Sequence, residues 1–137
     1  MIVAISRVFA AVAALISGAP DATSTEPWQS RDSPFVLGEV LPETTPATCA
    51  SVKHCVAKAP QVDDRVSFAI VGKLVSAEWD GTLAYLIMCA ESDIQVMCVT
   101  YSKEGRDVGD TVLFAGGYSR AGERGIVLDP CLASPVE

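Results

Sequence analysis

Val66-Ser67-Phe68-Ala69-Ile70-Val71-Gly72-Lys73-Leu74-Val75 alternates: Val66, Phe68, Ile70 and Leu74 fall on one side, Ser67, Ala69 and Lys73 on the other. A period of two marks a half-buried strand, because successive side chains of an extended chain point to opposite faces. Gly72 interrupts the apolar set in mid-strand, where a missing side chain lets the strand bend. The same period continues downstream. Glu78-Trp79-Asp80-Gly81 reads as a turn, and Thr82 to Ala90 and Ile94 to Tyr101 form a hairpin over Glu91-Ser92-Asp93. A further strand runs from Thr111 to Tyr118 after Val108-Gly109-Asp110, and a last one from Gly125 to Asp129 after Ser119-Arg120-Ala121-Gly122-Glu123-Arg124. Five strands in about 65 residues, with turns at this spacing, predict an all-β domain built as a small barrel or sandwich.

Upstream the spacing is helical. Val52, Cys55, Val56 and Ala59 fall at i, i+3, i+4 and i+7, Thr48 is placed to cap the start, and Pro60 ends the run. The expectation is one short amphipathic helix from Cys49 to Lys58. Further upstream, Pro20 to Thr48 carries five prolines (Pro20, Pro27, Pro34, Pro42, Pro46) among Ser, Thr, Glu and Asp, with neither period. That composition describes an extended arm. Trp28 and Phe35-Val36-Leu37 interrupt it, and docking onto the chain's own domain is the expected use of those apolar residues.

Two segments, Phe68 to Val75 with its central glycine and Val108-Gly109-Asp110-Thr111-Val112-Leu113-Phe114-Ala115-Gly116, resemble the long first strand and the turn into strand four of the oligonucleotide/oligosaccharide-binding barrel, the OB-fold. The resemblance spans residues 65–131 and concerns architecture only. It implies a five-stranded OB-like barrel led by one short N-terminal helix, with an SH3-like barrel as the structural alternative. The family often carries a helix between strands three and four. Ser102-Lys103-Glu104-Gly105-Arg106-Asp107 is too short for one, so the Cys49 to Lys58 helix is the candidate to close the barrel.

The first residues speak of compartment. Met1 to Arg7 carries one positive charge, Val8 to Ile16 is an unbroken apolar run, and Ser17-Gly18-Ala19 supplies small residues. This is the layout of a secretory signal peptide over residues 1–22. An apolar helix of roughly 14 Å falls well short of a ~30 Å hydrocarbon core, so the expectation is export without a membrane span, to a periplasmic or secreted location. The division expected is therefore a signal peptide (1–22), a Pro/Ser/Thr-rich arm (23–48), a domain with its leading helix (49–131) and a C-terminal tail (132–137). Seventeen acidic against ten basic side chains, a net charge of -7, disfavour a generic grip on nucleic acid or anionic membrane.

Alternation also assigns faces to the hairpin. With Met88 opposite Val96 and Leu86 opposite Cys98, those four and Ile94 point into the barrel. The other face then shows Tyr85, Ile87, Cys89, Met97, Val99 and Tyr101, too apolar to meet water alone, so an arm, the helix or a partner covers it. In the OB resemblance this second-and-third-strand surface is where ligands bind. Trp79, Tyr118, Arg120 and Arg124 are expected to flank it, and aromatic and guanidinium groups stack on bases or sugars.

Five cysteines in an exported chain predict two disulfides and one free thiol. Cys49 and Cys55 on one helix would lie about 9 Å apart along the axis, beyond disulfide reach. Long-range bonds from Cys49 or Cys55 to Cys89 or Cys131 are expected, leaving Cys98 free inside the barrel. Catalytic signatures are missing: His54 is the only histidine, no Cys-x-x-Cys occurs, Cys49, His54 and Cys55 lack metal-ligand spacing, and Gly116-Gly117 does not precede a helix. No catalytic residue, metal or cofactor is assigned. The expectation is a small exported, non-enzymatic binding module for a protein, peptide or glycan. A thiol-dependent redox or chaperone protein is the alternative, and single-stranded nucleic acid a lesser one.

Overall fold

The computed structural model of the chain describes residues 33–38, 44–62, 64–102 and 107–136. The expected signal peptide, Trp28, most of the arm and the centre of the Ser102–Asp107 loop lie outside them. Among the described residues seven strands and one helix follow in chain order: β1 (Phe35–Leu37), β2 (Ala47–Thr48), α1 (Val52–Val56), β3 (Val66–Trp79), β4 (Ala84–Met88), β5 (Gln95–Thr100), β6 (Thr111–Arg120) and β7 (Gly125–Pro135). The protein is all-β, and β3, β4, β5, β7 and β6 close into a five-stranded barrel because β6 pairs back onto β3. All neighbours in the ring are antiparallel except β5 and β7, which run parallel. A parallel pair requires a crossover, which the β6 excursion supplies. This barrel is compatible with an OB-like fold.

β3 serves both sides of the ring. Its first half pairs with β6, from Ser67 opposite Gly117 to Lys73 opposite Thr111, and its second half pairs with β4. The change of partner occurs around Gly72 and at a register shift between Leu74 and Ser76. A Cβ on Gly72 would sit 2.9 Å from Met88 Sδ and 3.0 Å from Cys49 Sγ, so the bend also makes room for packing. Phe68, Ile70, Leu74, Leu86, Met88, Val96 and Cys98, which alternation places together, are all buried, and Val112, Phe114, Ile126 and Leu128 of β6 and β7 join them.

The arm docks on its own domain. β1 pairs with β3 through Phe35–Phe68, Val36–Ser67 and Leu37–Val66, and β2 runs parallel beside Ile70 and Val71. Together they occupy the edge of β3 that β4 leaves open. Phe35 is fully buried, with its ring 4.8 Å from Phe68 and 5.1 Å, edge on, from Tyr118. This segment is therefore core, and the described part of the arm lies along β3, not across the hairpin.

α1 is shorter than the sequence suggests, five residues, yet Val52, Cys55, Val56 and Ala59 all pack on the core as their spacing predicts. Ser51 rather than Thr48 is its N-cap. The two exchange hydrogen bonds, Ser51 N–H donating to Thr48 Oγ1 at 3.2 Å and Thr48 N–H to Ser51 Oγ at 3.0 Å. At the other end, β7 continues to Pro135, so residues 132–135 belong to the barrel and not to a tail. Gly116 and Gly117 explain how. A Cβ on Gly116 would meet Pro130 O at 2.3 Å, and one on Gly117 would meet Asp129 O at 2.8 Å. The bare backbone lets β7 bulge against β6 and resume pairing at Cys131.

Two disulfides form, Cys49–Cys89 and Cys98–Cys131, and Cys55 is the free thiol. The number of bonds and the Cys49–Cys89 bond match expectation; the fates of Cys55 and Cys98 do not. Cys98 does point into the barrel, but Cys131 points there too, because the β7 bulge shifts it onto the inward register beside Gly116. Two buried sulfurs 5.5 Å apart at Cα make a bond that sequence alternation could not reveal. Two disulfides are consistent with an oxidising compartment. Among the described residues no helix is long and apolar enough to cross a membrane.

Candidate binding face

The hairpin register is the expected one: Leu86 opposes Cys98 and Met88 opposes Val96. Tyr85 therefore pairs with Val99, and Ile87 with Met97, on the outer surface. Parallel pairing adds a third strand, with Val127 beside Met97. Tyr85, Ile87, Met97, Val99 and Val127 thus form one apolar patch across β4, β5 and β7, half-buried except for Val99, which is 8% exposed. Tyr101 follows β5 at the edge of the patch and is 73% exposed. Sequence reasoning missed Val127. Its alternation with Ile126 and Leu128 signals an outward residue, but only the β5–β7 pairing shows which face it joins.

Carboxylates rim one end. Glu78 is paired in register with Tyr85, and Asp80 Oδ2 accepts the Tyr85 hydroxyl at 3.0 Å. Asp80 Oδ1 also accepts the backbone N–H groups of Thr82 at 2.8 Å and Leu83 at 2.7 Å, which builds the β3–β4 turn. These backbone donors, first Leu83 and then Thr82, hold the Asp80 carboxyl below its ordinary value, and the Tyr85 hydroxyl adds to them. Conversely, the Asp80 hydrogen bond raises the Tyr85 phenol, with Asp129 contributing through space. Asp129 follows Leu128, the last β7 residue paired with β5. Among the described residues no basic nitrogen lies within 4.0 Å of Glu78 or Asp129.

Four expected flanking residues are not on this face. Trp79 is 43% exposed but shares the inward register of Ala84, because the shift after Leu74 reverses the alternation of β3. Tyr118 continues the inward series Val112, Phe114, Gly116 and pairs with Leu128; its ring contacts Phe35 and Phe68, and burial pushes its hydroxyl pKa up. Period two already implied that inward placement. Arg120 folds back on its own turn, donating to Gly122 O at 3.1 Å and Glu123 O at 2.6 Å. Arg124 adjoins the far end of β5, where its carbonyl accepts Gln95 N–H at 2.8 Å and its charge acts on Asp93.

The opposite side of the hairpin is braced. The Cys49–Cys89 bond ties the segment leading into α1 to the hairpin loop, and Lys53 Nζ meets Asp93 Oδ2 at 2.8 Å, which lowers the Asp93 carboxyl. Two concavities open on the surface, the first beside the Cys49–Cys89 bond. One of about 580 Å³ is lined by Cys49, Gly72, Lys73, Val75, Cys89 and Glu91. The other, about 390 Å³, is bordered by Val62, Asp64, Arg65, Tyr118, Ser119 and Asp129. The second meets the binding face at Asp129. The free thiol of Cys55 is half-buried, with Sγ 3.9 Å from Ser51 Oγ. No protein-family model matches the chain, and no curated protein matches it.

Proposed function

We propose that this protein is a small exported, non-enzymatic binding module that engages a protein, peptide or glycan through the outer face of β4, β5 and β7. One observation carries the reading: five apolar side chains from three strands, Tyr85, Ile87, Met97, Val99 and Val127, share one outer surface of a disulfide-braced hairpin. Rigid strands held by closed register present side chains without the ordering cost that a loop incurs on binding. Aromatic and Met side chains on such a surface are typical interface anchors.

The test is affinity capture with the mature protein from its own compartment, followed by titration of the purified partner. Tyr101→Ala and Met97→Ala should each weaken binding by about 1 to 3 kcal/mol, with thermal stability almost unchanged because neither side chain belongs to the core. Retained affinity in both variants would remove the face from consideration. Alkylation of Cys55 separates this reading from thiol chemistry: the binding module keeps its affinity, whereas a thiol-dependent protein loses its activity.

A further inference from the structure

Resting on that reading of the face, we propose that its partner is a basic polypeptide segment, one that places Lys or Arg at the Tyr85 end of the patch and apolar anchors along Ile87, Met97 and Val127. The apolar part follows from the patch itself; the charge follows from its rim. Glu78 stands in register with Tyr85, Asp129 lies just past the β5–β7 pairing, and Asp80 holds the Tyr85 hydroxyl. Asp80 spends its oxygens on its own turn. Glu78 and Asp129 have no such partners: both are exposed, and no basic nitrogen of a described residue lies within 4.0 Å of either. Arg65 borders the same concavity as Asp129 without pairing to it.

At the far end of the face Arg120 is engaged by turn carbonyls, while Arg124 is an exposed cation within electrostatic reach of the Lys53-bridged Asp93. The patch is thus polarised, apolar along its length and negative at one end, on a chain of net charge -7. An acidic partner would meet Glu78, Asp80 and Asp129 at that rim against the single neighbouring cation Arg65, a net like charge that costs affinity and slows encounter. A basic segment is steered to it and gains a charge pair beside a half-buried phenol, where cation–π contact is also available.

The probes are short synthetic peptides matched in Leu, Phe and Tyr content, whose remaining positions are Lys/Arg, Gln or Glu, titrated against the mature full chain; a heparin oligosaccharide serves as the non-peptide anion. The Lys/Arg series should bind most tightly, and the preference should shrink as salt rises, since the screening length is about 10 Å at 0.1 M and about 3 Å at 1 M. Glu78→Gln with Asp129→Asn should lower affinity for the Lys/Arg series by about fivefold to tenfold at low salt, with Tm unchanged. If Asp129→Asn perturbs the β7 bulge, Glu78→Gln alone carries the comparison. Equal binding of all three peptide series overturns the basic-partner inference while leaving the binding face standing, provided Tyr101→Ala still weakens it. Preference for the Glu series or for heparin overturns the inference as well. Failure of every probe, or binding indifferent to Tyr101→Ala, overturns both.

Discussion

Glycine placement has unequal consequences along this chain. A methyl at Gly116 meets backbone, Pro130 O at 2.3 Å and Cys131 Cα at 2.8 Å, and neither can swing aside. At Gly72 the obstacles are side-chain atoms: Met88 Sδ at 2.9 Å, on a flexible chain that can shift, and Cys49 Sγ at 3.0 Å, which its bond to Cys89 holds in place. Gly116→Ala should therefore cost about 3 kcal/mol or more and Gly72→Ala about 1 kcal/mol, compared by urea denaturation. Equal losses would mean that the β6–β7 contact is not as close as described. Asp80 offers a second test. Its pKa is depressed, so its contribution to stability is present above the ordinary aspartate value of about 3.9 and is lost as pH falls through the lower folded value. A carboxyl-carbon NMR titration should place Asp80 below the ordinary aspartate value, and Tyr85→Phe should move it back towards that value.

At the scale of elements, β1 and α1 show how an arm and a helix become part of a barrel. β1 has only three residues, but Phe35 brings a whole ring into the core against Phe68 and Tyr118. Phe35→Ala should destabilise by about 3 to 5 kcal/mol, so removal of the arm reports on folding before it reports on the hairpin face. The α1 segment is held by two links of very different worth. Breaking Cys49–Cys89, which spans 40 residues, should cost about 4 kcal/mol in the chain-entropy account. Lys53→Ala removes only an exposed, solvent-screened ion pair, which contributes far less than the disulfide. Thermal melts of the two variants should differ accordingly.

For the whole molecule, both disulfides close loops of similar size, with separations of 40 and 33 residues. Each contributes about 4 kcal/mol in the same account, and together they rival the 5–15 kcal/mol of a typical domain. The chain made under reducing conditions should therefore melt far lower than the oxidised chain or fail to fold, measured by circular dichroism with and without reductant. Mass mapping of the oxidised chain should find Cys49–Cys89 and Cys98–Cys131, with alkylation confined to Cys55.

Local pattern determined a great deal. Period two placed the five barrel strands, and the hairpin register followed from which of Leu86, Met88, Val96 and Cys98 had to be buried together. The i, i+3, i+4, i+7 set named the four α1 residues that reach the core. These are properties of a few consecutive residues, and water sorts them without reference to the rest of the chain. Tertiary structure decided whatever depended on a change of phase or on a distant neighbour. The shift after Leu74 carried Trp79 off the outer face, and the β7 bulge over Gly116 brought Cys131 to Cys98. Parallel pairing set Val127 beside Met97 and left Asp129 at the rim by Tyr85. Alternation is blind to such events, because inserting one residue inverts every later side chain, and the site of insertion is chosen by the strand packed opposite.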